Sequence, residues 1–110
     1  MQTVKLELDY LCNPIFGEYY SIKKHCAITT IAIIDEDKVL QDIGNEMKTL
    51  YSSYYEFDSH DQACWFNKEK QIKDKPKMLE LLSKLKARLD EINDGSFEIE
   101  DLITPEYENL

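Results

Sequence analysis

Asp74–Gly95, DKPKMLELLSKLKARLDEINDG, decides how the rest of the chain is read. Met78, Leu82, Leu85, Leu89 and Ile92 recur at steps of 4, 3, 4 and 3, and Leu79 and Leu81 widen the stripe. Steps of that size trace one face of a helix, whereas a strand needs a period of two. Asp74 is the expected N-cap, and Pro76 falls in the first turn, where its missing N–H costs nothing. Asn93-Asp94-Gly95 ends the segment with residues that tolerate positive φ. A helix this long cannot bury its stripe alone, so the remaining segments must supply the surface it packs on.

The segments before it supply strands and a second helix. Val4, Leu6, Leu8 and Tyr10 alternate with Lys5, Glu7 and Asp9, a strand with one buried and one wet face. Asn13-Pro14 reads as a turn and Ile15-Phe16 as a resumed extended run, while Glu18–Lys24 fits a return strand or an irregular connection equally. Cys26–Ile34, CAITTIAII, is rich in β-branched residues and carries no charge, so it is expected to be the central strand. One carboxylate of Asp35-Glu36-Asp37 should cap a helix whose stripe runs Leu40, Ile43, Met47, Leu50, Tyr54 and Phe57. Gly44 inside it is expected to pack closely on the sheet. Asp58–Asp61 reads as a loop, Ala63–Phe66 as a short strand or core anchor, and Asn67–Lys73 as a polar lead into the long helix. Phe97 and Ile99 alternate with acids as a short edge strand, followed by a loose tail. The expected fold is α+β, a small mixed or antiparallel sheet on two amphipathic helices, with one domain over 1–103 and a flexible tail over 104–110. The all-α alternative would have to make CAITTIAII helical against its β-branching.

Composition narrows the function. The 110 residues hold 43% apolar and 32% charged side chains, enough for one core and too apolar for a disordered chain. No apolar run is long enough to span a membrane, and MQTVKLELDY lacks the uninterrupted core of a signal peptide, so a cytoplasmic protein is expected. Cys12, Cys26 and Cys64, odd in number and widely spaced, then read as thiols that behave as small buried hydrophobes. A net charge of −9 disfavours nucleic acid or an anionic membrane as direct partner. The charge is uneven: residues 68–88 hold eight cations against three acids, and residues 89–110 hold eight acids and no Lys or Arg.

Signatures of chemistry are sparse in the chain. His60 and Cys64 lie four apart and His25 and Cys26 are adjacent, but no CxxC or HxxH spacing is present, so neither metal nor cofactor is expected. No GxSxG or glycine-rich phosphate loop occurs, and no His stands in a catalytic signature, so an enzyme is not expected. Two acidic groups are candidates for partner binding instead. Tyr55, Glu56, Asp58 and Asp61 combine a tyrosine off the helical stripe with carboxylates, the composition of a hot spot facing a cation-rich protein. Asp90, Glu91, Asp94, Glu98 and Glu100 form the other group. Acids at the end of a helix oppose its dipole, so helix stability does not explain them.

The run Leu6–Phe16, LELDYLCNPIF, an alternating strand entering a DY-x-C-x-P-I-aromatic turn, resembles part of some immunity proteins of bacterial polymorphic-toxin and contact-dependent inhibition systems. It covers about a tenth of the chain. Those proteins share no single motif, so no residue role transfers. The resemblance implies a cognate basic toxin, with a nuclease domain as the expected form, neutralised by binding over or beside its active site. The alternative is a phage-type inhibitor or DNA mimic that blocks a host nucleic-acid-binding protein. It needs carboxylates spaced like phosphates along the long helix, a row that Lys84, Lys86 and Arg88 interrupt. A small cysteine enzyme and a homodimeric module built on Trp65 and the tyrosines are further alternatives; a monomer or a homodimer suits the inhibitor.

Overall fold

A computed structural model describes residues 2–17, 19–23, 26–59 and 62–110, with 57–59 and 62–64 described by backbone alone. The order of elements is β1 (Gln2–Leu6), β2 (Ile15–Phe16), β3 (Tyr19–Ser21), β4 (Cys26–Ile28), α1 (Ala32–Asp35), α2 (Lys38–Ser52), β5 (Tyr55–Ser59), β6 (Gln62–Phe66), α3 (Lys68–Lys73), α4 (Lys75–Ile92), β7 (Phe97–Asp101) and α5 (Ile103–Glu108). The fold is α+β, as the residue patterns imply.

The first strand is the middle one. β1 pairs antiparallel with β2 and parallel with β7, from Gln2 opposite Phe97 to Leu6 opposite Asp101. Alternation then sorts the side chains: Val4, Leu6, Ile15 and Phe97 are buried on the inner face, while Lys5, Glu98 and Glu100 are exposed on the outer one. Leu40 and Met47 of α2, five residues of α4 from Met78 to Leu89, and Ile103 and Tyr107 of α5 complete the core with the inner face. The long helix forms as its stripe requires, from Lys75 to Ile92, with Pro76 in its first turn and Gly95 at φ 93° beyond its end. Asp74 precedes it without capping through its side chain. Its backbone joins the end of α3 to the start of α4, with its N–H on Lys70 and its carbonyl accepting from Met78.

Four further expectations are corrected. CAITTIAII is not the central strand: only Cys26–Ile28 is extended, paired with β3 in a separate two-stranded sheet. Thr29 Oγ1 donates to Asp35 Oδ1 at 2.5 Å, and the Ile31 carbonyl accepts from Ile34 and Asp35, so the second half of the run turns into α1. Ile31 and Ile34, three apart, enter the core while Ile33 faces out, and tertiary burial overrides β-branching. Secondly, α2 stops at Ser52. Ser53 Oγ donates to the Leu50 carbonyl, and fully buried Tyr54 reaches the core from a turn rather than from a fifth helical turn. The region expected as a loop, Asp58–Asp61, begins as strand β5, and residues 60 and 61 lie outside the described residues. Thirdly, Gly44 packs on the β1–β2 connection, not on a strand: a Cβ there would fall 2.5 Å from Asn13 Nδ2. Fourthly, residues 104–110 are no loose tail, because most of them belong to α5, where Tyr107 is fully buried and accepts from Gln71 Nε2 at 3.4 Å.

The thiols expected at Cys12 and Cys26 are joined as a disulfide across 14 positions of sequence. Wide spacing in sequence hid a Cα separation of 6.0 Å, ordinary for such a bond. Beside it Leu11 holds φ 57°, a left-handed conformation that Leu rarely adopts, with its N–H on Ser52 Oγ.

The end of the chain is therefore structural. Tyr107→Ala removes a buried ring and should destabilise the protein by about 3 kcal/mol, read as a lowered urea midpoint with an unchanged slope. A loose tail would leave the midpoint where it was.

Candidate partner-binding surface

β5 and β6 form a hairpin with Tyr55 opposite Phe66 and Glu56 opposite Trp65. Tyr55 is half-buried in an aromatic cluster, its ring centroid 4.9 Å from Tyr10, 5.0 Å from Phe66 and 5.7 Å from Tyr51. Its hydroxyl is 3.3 Å from the Tyr51 hydroxyl. Tyr55 is thus an internal contact, not the exposed anchor that its position off the stripe suggested. The reason is that the helix ends before it, so the helical periodicity does not apply. Glu56 is half-buried and accepts from Asn67 Nδ2 at 2.8 Å. The Asp58 side chain and Asp61 lie outside the described residues.

The second group is exposed throughout. Asp90 and Glu91 occupy the last turn of α4, Asp94 the connection after it, and Glu98 and Glu100 the outer face of β7. Asp94 accepts from the Ser96 N–H at 3.0 Å, and its bonds to Ser96 hold its carboxyl below the usual range. Glu98 accepts from Thr3 Oγ1, and Glu100 faces Lys5 across the parallel register. Asp101, next along, points elsewhere: it accepts from the N–H groups of Ile103 and Thr104 at the start of α5 and pairs with Lys86 at 3.0 Å.

Tertiary pairing also engages two cations of the long helix, Lys86 and Arg88. Arg88 donates from Nε and Nη2 to Asp37 at 3.0 and 2.6 Å and pairs with Glu91 at 3.2 Å. Asp37 in turn caps α2 by accepting from the Leu40 N–H. One carboxylate therefore fastens the start of α2 to the end of α4. Lys84 pairs with Glu80. Lys84, Lys86 and Arg88 thus answer acids on other elements and on the surface of α4, and Asp90, Asp94, Glu98 and Glu100 have no cation among these ion pairs.

Two features were not singled out from the sequence. Tyr19, Tyr20 and Ile22 on the β3–β4 hairpin are 56, 66 and 81% exposed. Adjacent strand residues point to opposite faces, so the Tyr-Tyr pair already required both faces of β3 to be covered or one tyrosine to be bare. The other is a cleft of about 600 Å³ beside the disulfide, with Asn13, Thr29, Asp35, Gln41, Asn45 and Lys48 among its polar lining. Asp35 is engaged by Thr29, and Cys26 is bonded to Cys12 and so cannot join His25 as a metal ligand pair. His25 and His60 lie outside the described residues. No described helix is long and apolar enough to cross a membrane.

The hydrogen bonds from Arg88, more than any other influence, hold the Asp37 carboxyl below its ordinary value. A carboxyl depressed on folding stabilises above its unfolded pKa of about 3.9 and loses that contribution as pH falls through the folded value. Asp37→Asn should therefore be less stable than the parent at pH 7, with the gap closing below about pH 4 in urea melts across pH. A gap independent of pH would show that charge is not what Asp37 contributes.

Comparison with protein-family models, with curated proteins and with solved structures yields no match for this chain.

Proposed function

We propose that this chain is an inhibitor of the immunity type, which binds a cognate cationic toxin and neutralises it by protein–protein contact. The observation that carries the reading is the exposed acidic run Asp90, Glu91, Asp94, Glu98 and Glu100, of which Glu91 alone is held in one of the ion pairs above. A nuclease domain is the form of toxin that suits it best, because its cleft must be positive to hold phosphates. Carboxylates compete for such a cleft, and long-range attraction speeds their arrival. The turn Leu6–Phe16, with its resemblance to immunity proteins, supports the same reading. Tyr55 and Glu56 are engaged internally, so the weight falls on the second acidic group. A cytoplasmic site of action goes with a nuclease target. There the Cys12–Cys26 bond meets reducing conditions.

The test is association with the product of an adjacent reading frame that kills cells unless this chain is co-expressed. Asp90→Lys combined with Glu98→Lys and Glu100→Lys should slow association about tenfold or more at low salt, with less effect at high salt and little change in Tm. Unchanged association, or failure to capture any cationic protein, overturns the reading.

A further inference from the structure

The β3–β4 hairpin is a satellite of the body. Among the described residues between 16 and 30, no apolar side chain belongs to the main core. The hairpin instead joins a second cluster of Cys12, Phe16 and Cys26, with Ala27 and Ile28 packed against it. Register explains where this cluster lies: Phe16 is opposite Lys5, so its ring is on the outer face of the three-stranded sheet. There it is covered by the disulfide and by β4. Tyr19, Tyr20 and Ile22 contribute little burial, being mostly exposed. A two-stranded hairpin with so small a packed face is marginal in water. Its further attachments are at the far end of β4, where Thr29 bonds to Asp35 and Gly17 presses on the backbone of Ile28 and Thr29, leaving no room for a Cβ.

We propose that the Cys12–Cys26 bond is a redox-sensitive strap: oxidised, it seats the β3–β4 hairpin over Phe16, and reduced, it lets the hairpin come away as a unit while the main body stays folded. The co-reactant is a thiol reductant. Its thiolate attacks one sulfur to give a mixed disulfide, and a second thiol resolves it. The strap gains two electrons and two protons, leaving two free thiols, and the reductant departs as its own disulfide. Both cysteines are buried, so attack waits on opening of the hairpin. The strap therefore registers the redox state of a compartment and not brief fluctuations. Release replaces an ordered hairpin bearing Tyr19, Tyr20 and Ile22 with a loose segment and uncovers Phe16. Local opening of a unit that contributes no described apolar residue to the main core is the expected form of response. It holds whether or not the partner is a toxin.

Hydrogen exchange read by mass spectrometry compares the full chain oxidised, the same chain in a phosphine reductant, and the Cys12→Ser/Cys26→Ser variant. Amides of β3 and β4 should exchange at least tenfold faster in the last two, with β1 and α4 unchanged. Equal protection of β3 and β4 in all three overturns the proposal, since packing alone would then seat the hairpin. Loss of protection throughout the chain also overturns it, because the bond would then staple the whole fold. So does peptide mapping that finds Cys12 and Cys26 unlinked after folding in air.

Discussion

Parallel pairing of Gln2–Leu6 with Phe97–Asp101 closes the chain on itself, and the other elements are arranged by it. Parallel neighbours need a long crossover, and here the crossover is nearly the whole protein. Closing so large a loop costs only slowly more with length, but the closure holds only if the inner face it creates is buried. α4 meets that need with a stripe five side chains long, and α2 and α5 flank it. Moving β7 by one residue would turn Glu98 and Glu100 inward and Phe97 outward, so burial fixes the register. The acidic outer surface is thus a consequence of the same alternation that builds the core.

Charge and fold are linked at two points. Asp37 caps α2 and receives Arg88 from α4, while Asp101 starts α5 and receives Lys86. Both carboxylates anchor a helix start and bind a cation from the same neighbouring helix. The basic block of the sequence is therefore partly an internal counterweight. What remains unbalanced is at the end of α4 and along β7, and there a cationic partner would find carboxylates with few competing cations.

The outer face of the sheet is divided. On the β7 side it is bare and acidic; on the β2 side Phe16 is covered by a disulfide and a hairpin with little core of its own. Different forces hold the two halves, strand register on one side and a covalent link on the other. Only the second responds to a reductant, so one surface combines a permanent charge pattern with a conditional apolar one.

The sequence by itself determined what local periodicity and chain chemistry decide. Period two marked β1 and β7, steps of three and four marked α2 and α4, Asp37 was among three candidates for the α2 cap, and Gly95 marked where α4 gives way to β7. Only the tertiary structure decided which strand is central, that Cys12 and Cys26 are one bond, that Tyr55 packs inward, and that the last residues form α5 around buried Tyr107. Each of these depends on contacts between residues far apart along the chain. An apolar run such as CAITTIAII states that burial is needed, but the surface that buries it comes from elsewhere in the fold.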